Sequence, residues 1–240
     1  MPLLIKIPTV FDMLMRCTNL RRAKGGKAQK GENEKMSTYY ISDTHFGHKS
    51  VLRLAKRPFD SVEEMNERII ENWNRCVKDG DRVYFLGDVF FKAEGYEDIL
   101  GRLKGEKHLI LGNHDTSWLE EYHDSSRDKE GCMNHVGYRI KGTKTDLGKY
   151  FKSVNEILQI TDGERGCVLC HYPLLTWKHE KRLYMIHGHL HNDTTDSFFH
   201  HIAQNDKMLN AGVDINSFMP VTLEELIENN RKFKEEYLRN

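Results

Sequence analysis

His187, His189 and His191 occupy every second position of the stretch YMIHGHLHND, residues 184–193. Imidazole is costly to bury and is the commonest protein ligand for transition metals. Three such rings behind an apolar run therefore need partners, and the partners recur at intervals upstream. Asp43 and His45 follow the run TYYIS (38–42), and Gly87-Asp88 follows RVYFL (82–86). Asn113, His114 and Asp115 follow HLIL (108–111), and His171 follows CVLC (167–170). Each match alone is common, but the ordered set is not. Carboxylates, imidazoles and one amide, with no thiolate, suit Mn, Fe, Ni, Co or Zn better than Ca or a structural zinc site. A set of this size exceeds one tetrahedral ion and suits two divalent ions sharing a carboxylate, roughly 3.5–4 Å apart. Two carboxylates offset half the charge of two such ions, so the site would attract an anion such as phosphate.

The elements that must carry these residues alternate from Met36 onward. The apolar runs named above, together with LYMI (183–186), read as strands. Between the first two, Ser61 and Glu64 form a capping-box pair, while Val62, Met65, Ile69, Trp73 and Cys76 recur at helical spacing before the stop signal Asp79-Gly80. A short helix is expected over 96–104, and a last one after Pro220, opened by Thr222 and Glu225. Strand–helix alternation is the signature of an α/β layered domain, and in such sheets ligands bind outside the carboxyl ends of the strands.

Composition narrows the class. Thirty-six Lys and Arg balance 36 Asp and Glu, which argues against a main affinity for long DNA or RNA, since such proteins usually carry a basic surplus. No apolar run reaches the roughly 18 residues of a membrane span. Five scattered cysteines fit reduced thiols in a cytosol rather than a disulfide scaffold, so a cytoplasmic location is expected. Cys167 and Cys170 read as small buried strand residues. Residues 1–35 end in RRAKGGKAQKGENEK, which has no hydrophobic anchor and reads as a flexible extension or linker. Met36 is then expected as the natural start, with a single folded domain over 36–240.

The ordered set resembles the calcineurin-like metallophosphoesterase superfamily across residues 37–219: Asp43-x-His45, Gly87-Asp88, Gly112-Asn113-His114-Asp115, a lone His171 and Gly188-His189-x-His191. The stretches YYISDTHFGHKSVL, RPFDSVEEMN, CHYPL and VDINSFMPVTLEE are most similar to its small bacterial and phage-borne phosphoesterases. The resemblance implies a single α/β domain built as a four-layer αββα sandwich with metals at one end. It assigns Asp43, His45 and His191 to one metal, Asn113, His171 and His189 to the other, and Asp88 to both. It places His114 beside the phosphate, as transition-state stabiliser or proton donor, with Asp115 hydrogen-bonded to it and orienting it.

The activity implied is hydrolysis of a phosphoester by a hydroxide bridging two divalent metals, Mn foremost and Fe, Ni, Co or Zn as alternatives. Small phosphodiesters, including nucleotide derivatives, come first as substrates and monoesters second. A nuclease acting on short or structured nucleic acid is the alternative, and a non-catalytic metal-binding scaffold of the same fold is the rival from another class. The stretch GDVFFKAEG lacks the pattern of phosphoprotein phosphatases, which disfavours protein substrates. His48, Arg57 and His187 are the candidates for touching substrate, although His187 is better read as a supporting or packing residue. Tyr172 and Trp177 flank Pro173 and could stack on a nucleobase, but buried aromatics in a turn are the expected reading.

Overall fold

This computed structural model of the chain describes residues 36–124 and 135–239. The linker expected over 1–35 lies outside the described residues. From Ser37 onward the chain forms one compact unit, a mixed α/β fold with two four-stranded sheets.

The first sheet is wholly parallel, in the order β1 (Thr38–Ile41), β2 (Arg82–Phe85), β3 (Glu106–Ile110), β6 (Phe151–Asn155). The second runs β10 (Met208–Asn210), β9 (Tyr184–His187), β8 (Arg165–Cys170), β7 (Ile157–Asp162), with only β7 antiparallel to its neighbour. A separate ribbon pairs β4 (Leu119–Asp124) with β5 (His135–Ile140).

Alternating residues divide the faces of each sheet, as a period of two requires. Ile41, Val83, Phe85 and Leu109 join one core with Met65, Ile69 and Trp73 of α2 (Val62–Cys76) and with Ile99 and Leu100 of α3 (Tyr96–Arg102). Val168, Cys170, Met185 and Met208 join another with Phe199 and Ile202 of α4 (Phe199–Ala203), and Phe233 and Tyr237 of α5 (Leu223–Leu238) pack against it. The intervening residues Tyr40, Cys167, Leu169, Ile186 and Leu209 are buried as well. Tyr40 also ties the sheets together, its hydroxyl donating to Asp162 Oδ2 on β7 at 3.0 Å. Cys167 and Cys170 are buried free thiols, and burial pushes the Cys167 thiol up to about 12.

Both anticipated N-caps are present, but only the second is a reciprocal capping box, because the Glu64 carboxylate accepts from the Asp60 N–H and not from that of Ser61. Ser61 accepts from the Glu64 N–H at the start of α2. Thr222 and Glu225 cap α5 reciprocally. Helix α2 ends at Cys76, three residues before the Asp79-Gly80 stop, because Val77 is already extended. A short helix α1 (Lys49–Leu54) follows the first site loop. No described helix is long and apolar enough to cross a membrane.

The loops beyond the parallel strands stay hydrogen-bonded after the strands end. The Asp43, His45 and Phe46 N–H groups donate to the carbonyls of Gly87, Asp88 and Val89. Ser42 N–H donates to Ala211 O, and Val213 N–H to Ser42 O, which joins the two sheets at this end. The carboxyl ends of β1, β2, β8, β9 and β10 are thereby held beside one another.

Candidate metal centre

Two groups of side chains converge at that end. Asp43, His45 and His191 form one, and Asp43, Asp88 and His171 the other, each with ligand atoms within 4.8 Å of one another. Asp43 belongs to both, and Asp88 of the second group also reaches His45 of the first. The Asp88 Oδ2 is 3.6 Å from His45 Nε2 and 3.6 Å from His171 Nε2. Asn113 completes the second group, its Oδ1 standing 3.0 Å from both His171 Nε2 and His189 Nδ1. Asp43 is fixed by the His189 N–H, which donates to its carboxylate.

The ring nitrogens carry the argument for a cation. His171 Nδ1 donates to the Leu86 carbonyl oxygen at 2.6 Å, so its Nε2 is the lone-pair end, and that end faces the oxygens of Asn113 and Asp88. His191 Nδ1 donates to Asp214 Oδ2 at 2.8 Å, leaving its Nε2 lone pair 3.9 Å from Asp43 Oδ1. His45 Nε2 is buried and makes no hydrogen bond among the described residues. Acceptors set against acceptors are an arrangement that a cation between them would satisfy. Two ligand atoms each about 2.1 Å from one ion stand between about 3 and 4.2 Å apart, depending on the angle, and the 3.6 and 3.9 Å separations fall in that range. The residues fit divalent metals of the imidazole–carboxylate class.

Ligation needs neutral rings and ionised carboxylates, which the shifts at His45 and His189 favour and those at Asp88 and His191 oppose. Burial, then the charges of His191, Arg57 and His48, hold His45 far below the ordinary imidazole range. Burial also lowers His189, followed by the His171 charge. Burial pushes Asp88 up, opposed by His171 and reinforced by Asp43. At His191 burial pulls downward, but the Asp214 hydrogen bond and the Asp43 and Asp214 charges outweigh it and raise the ring.

Backbone strain concentrates here. Of the nine non-glycine residues with positive φ among those described, five are Asp43 (56°), His45 (50°), Asp88 (54°), His189 (70°) and His191 (50°). Each left-handed residue of this kind costs roughly 1–2 kcal/mol, and such cost gathers where a site must aim its side chains. Two glycines make the approach sterically feasible. A Cβ on Gly112 would overlap Asp88 Oδ1, and one on Gly188 would overlap Ser42 Oγ and Asp43 Oδ2.

His114 stands at the mouth. Its side chain is 43 % exposed, with Nε2 4.0 Å from Asp88 Oδ2, and its N–H donates to Asp88 Oδ1 at 2.8 Å. The expected partnership with Asp115 is corrected. The fully buried Asp115 carboxylate instead accepts from the N–H groups of Asp88, Val89 and Gly112 and from Trp118 Nε1. Those four bonds leave the His114 ring without it. Asp115 locks the Asp88 loop to the Asn113 loop, and burial raises it to about 6.

The three candidates for substrate contact separate. His48 is half-buried, its ring flat against Phe91 (centroids 3.9 Å apart, planes 4° apart) and beside those of His45 and His114. Arg57 cannot reach substrate. Its buried guanidinium donates to both Asp214 oxygens, to the Thr44 and Asp43 carbonyls and to Met65 Sδ, which uses all five N–H groups. His187 is likewise excluded from contact, being fully buried with Nδ1 against the Gly188 carbonyl. Trp177 is half-buried and donates to Leu183 O, as expected of an aromatic in a turn, whereas Tyr172 is 45 % exposed.

Asp214 is the residue that sequence reasoning missed. It sits in GVDINSF after β10, a strand of three residues. A carboxylate just past a strand end was the available signal, but MLN is too short to mark a strand.

No family model matches the chain. Gene 66 protein of Mycobacterium phage L5 is 26 % identical over 197 residues, covering 74 % of this chain and 86 % of its own. Among solved structures, the protein of unknown function AQ665 from Aquifex aeolicus matches with a TM-score of 0.56 at 24 % identity, over 81 % of this chain and 99 % of its own, and so shares the fold. An uncharacterized protein of Methanocaldococcus jannaschii, MJ1445, is 31 % identical over 193 residues, which is 79 % of this chain and 89 % of the relative. Similarity of that degree and reach shows that this chain belongs to one family with MJ1445.

Proposed function

We propose that the chain is a two-metal phosphoesterase that hydrolyses small phosphodiesters, built as a four-layer αββα sandwich with its site at the joined end of the sheets. The observation that carries this reading is Asp88 Oδ2, equidistant at 3.6 Å from His45 Nε2 and His171 Nε2. In this reading Asp43, His45 and His191 hold one ion, Asn113, His171 and His189 hold the other, and Asp88 serves both. Manganese is the first choice, on the donor set alone. When bound, two such ions polarise a phosphoryl oxygen and lower the pKa of water toward neutrality.

The protein's own groups do the rest. His114, exposed at the mouth, donates a proton to the departing oxygen, and its main-chain bond to Asp88 Oδ1 fixes where the ring starts. His48, braced on Phe91, offers a second ring nitrogen to a phosphate oxygen on the same side. The buried Asp115 keeps both loops in register, so that these groups face one point. Substrates are held to small phosphoesters because formal charge is balanced and no basic surplus would gather long nucleic acid.

The test is hydrolysis of bis(p-nitrophenyl) phosphate and p-nitrophenyl phosphate by chelator-stripped protein, before and after Mn²⁺ is restored. Metal-dependent cleavage with the diester preferred is expected. Inertness toward both esters with metal bound would favour the non-catalytic scaffold.

A further inference from the structure

One exposed aromatic side chain lies against the candidate ligands, and the metal centre has no use for it. Tyr172 follows His171 directly, and its ring meets His189 edge-on at 4.7 Å and His171 at 5.2 Å between centroids. Seven large hydrophobic residues are exposed among those described, and of these Tyr172 alone has a ring contact with a candidate ligand. A scattered exposed aromatic needs no explanation. One that is 45 % exposed and set edge-on to two site rings offers a stacking surface.

Its position relative to His114 gives the surface a meaning. His114 packs against His45 at 5.3 Å, in the first group of ligands. Tyr172 packs against His171 and His189, in the second. The aromatic on the His114 side, Phe91, already carries the His48 ring flat upon it. A phosphorus lying between the groups would turn its departing oxygen toward His114 and another substituent toward Tyr172. A monoester has no carbon substituent to place there, whereas a diester has one.

We infer that Tyr172 is a specificity-determining residue that stacks a planar ring carried by the substituent retained on phosphorus, so that the preferred substrates are phosphodiesters bearing a nucleobase or aryl group on that side. This rests on the phosphoesterase reading and narrows it. The loop that carries Tyr172 adds the exposed cations Lys178, Lys181 and Arg182 against a single acid, Glu180, a balance that suits further negative charge on such a substrate.

The test uses two esters with one leaving group, phenyl p-nitrophenyl phosphate and methyl p-nitrophenyl phosphate. Hydrolysis of either forms a bond from water oxygen to phosphorus, and p-nitrophenolate departs with the electron pair of the broken bond. The ratio of kcat/KM for phenyl over methyl is compared between wild type and variants, which cancels the intrinsic reactivities. Tyr172→Ala is expected to lower that ratio about tenfold, the size of one stacking contact, while Tyr172→Phe and Tyr172→Trp preserve it and metal content stays unchanged. An unchanged ratio in Tyr172→Ala, or equal loss on both esters, overturns the inference and leaves the phosphoesterase reading standing. Failure of metal-loaded wild type to cleave either ester overturns both.

Discussion

Asp214 Oδ2 accepts the Nδ1 proton of His191 at 2.8 Å, and the same carboxylate takes two hydrogen bonds from Arg57. The pairing fixes the tautomer of His191 and aims its Nε2 at Asp43. Burial pushes Asp214 up, but Arg57 and His191 outweigh it and hold it below the ordinary carboxylate value. Supporting partners of this kind commonly change metal affinity by about 10–100-fold. Asp214→Asn is expected to weaken Mn²⁺ binding by that amount in a calorimetric titration. It should also destabilise the fold by about 3 kcal/mol, because the Arg57 charge stays buried without its counter-charge. Unaltered affinity would remove Asp214 from the centre.

In the proposed mechanism His114 acts on the departing oxygen and does not hold metal. His114→Asn should therefore keep its full metal content while losing about 10²–10⁴-fold in turnover on esters with poor leaving groups. The loss should be much smaller with p-nitrophenolate, which departs without a proton. Equal loss on both kinds of ester, or loss of metal, would contradict the role.

Asp115 is a structural lock. Replacing its carboxylate by an amide sets an NH₂ against donors that now meet an acceptor. Asp115→Asn should thus lower stability by more than about 2 kcal/mol, the cost of leaving buried donors unpaired, with thermal denaturation as the readout. A fully stable variant defective only in turnover would restore the catalytic role expected from the sequence.

These residues show what the sequence could and could not tell. The strand ends were legible because each apolar run finishes in a metal-capable side chain, and local capping at Ser61 and Thr222 announced α2 and α5. Arg57 was misread because its partner Asp214 lies 157 residues downstream, and no local pattern encodes a contact at that distance. The Asp115 misreading has a related cause. Adjacency to His114 suggested a pair, but the short 3₁₀ turn Asp115–Ser117 directs the carboxylate inward to the Asp88 loop. The ribbon β4–β5 and strands β6 and β7 passed unnoticed, being polar and lacking long apolar runs.

Lys234 gives a pH signature remote from the centre. Its buried ammonium donates to the Asn205 and Met208 carbonyls, and desolvation brings it down to about 8 from 10.5. Between those values the unfolded chain holds a proton that the folded chain has released, so stability rises with pH across the window and is flat with respect to this group below it. Lys234→Met should abolish that rise in urea unfolding followed from pH 7.5 to 10, about the window the two values define. An identical pH slope in the variant would assign the change elsewhere.

The proposed sharing of Asp88 between two ions is tested most directly by counting metal on the reconstituted protein and recording its electron paramagnetic resonance. Two Mn²⁺ ions per chain with an exchange-coupled spectrum are expected, with Asp88→Asn losing both the coupling and at least one ion. A single uncoupled ion in the wild type, or a variant that keeps the coupled pair, would contradict a centre joined through Asp88.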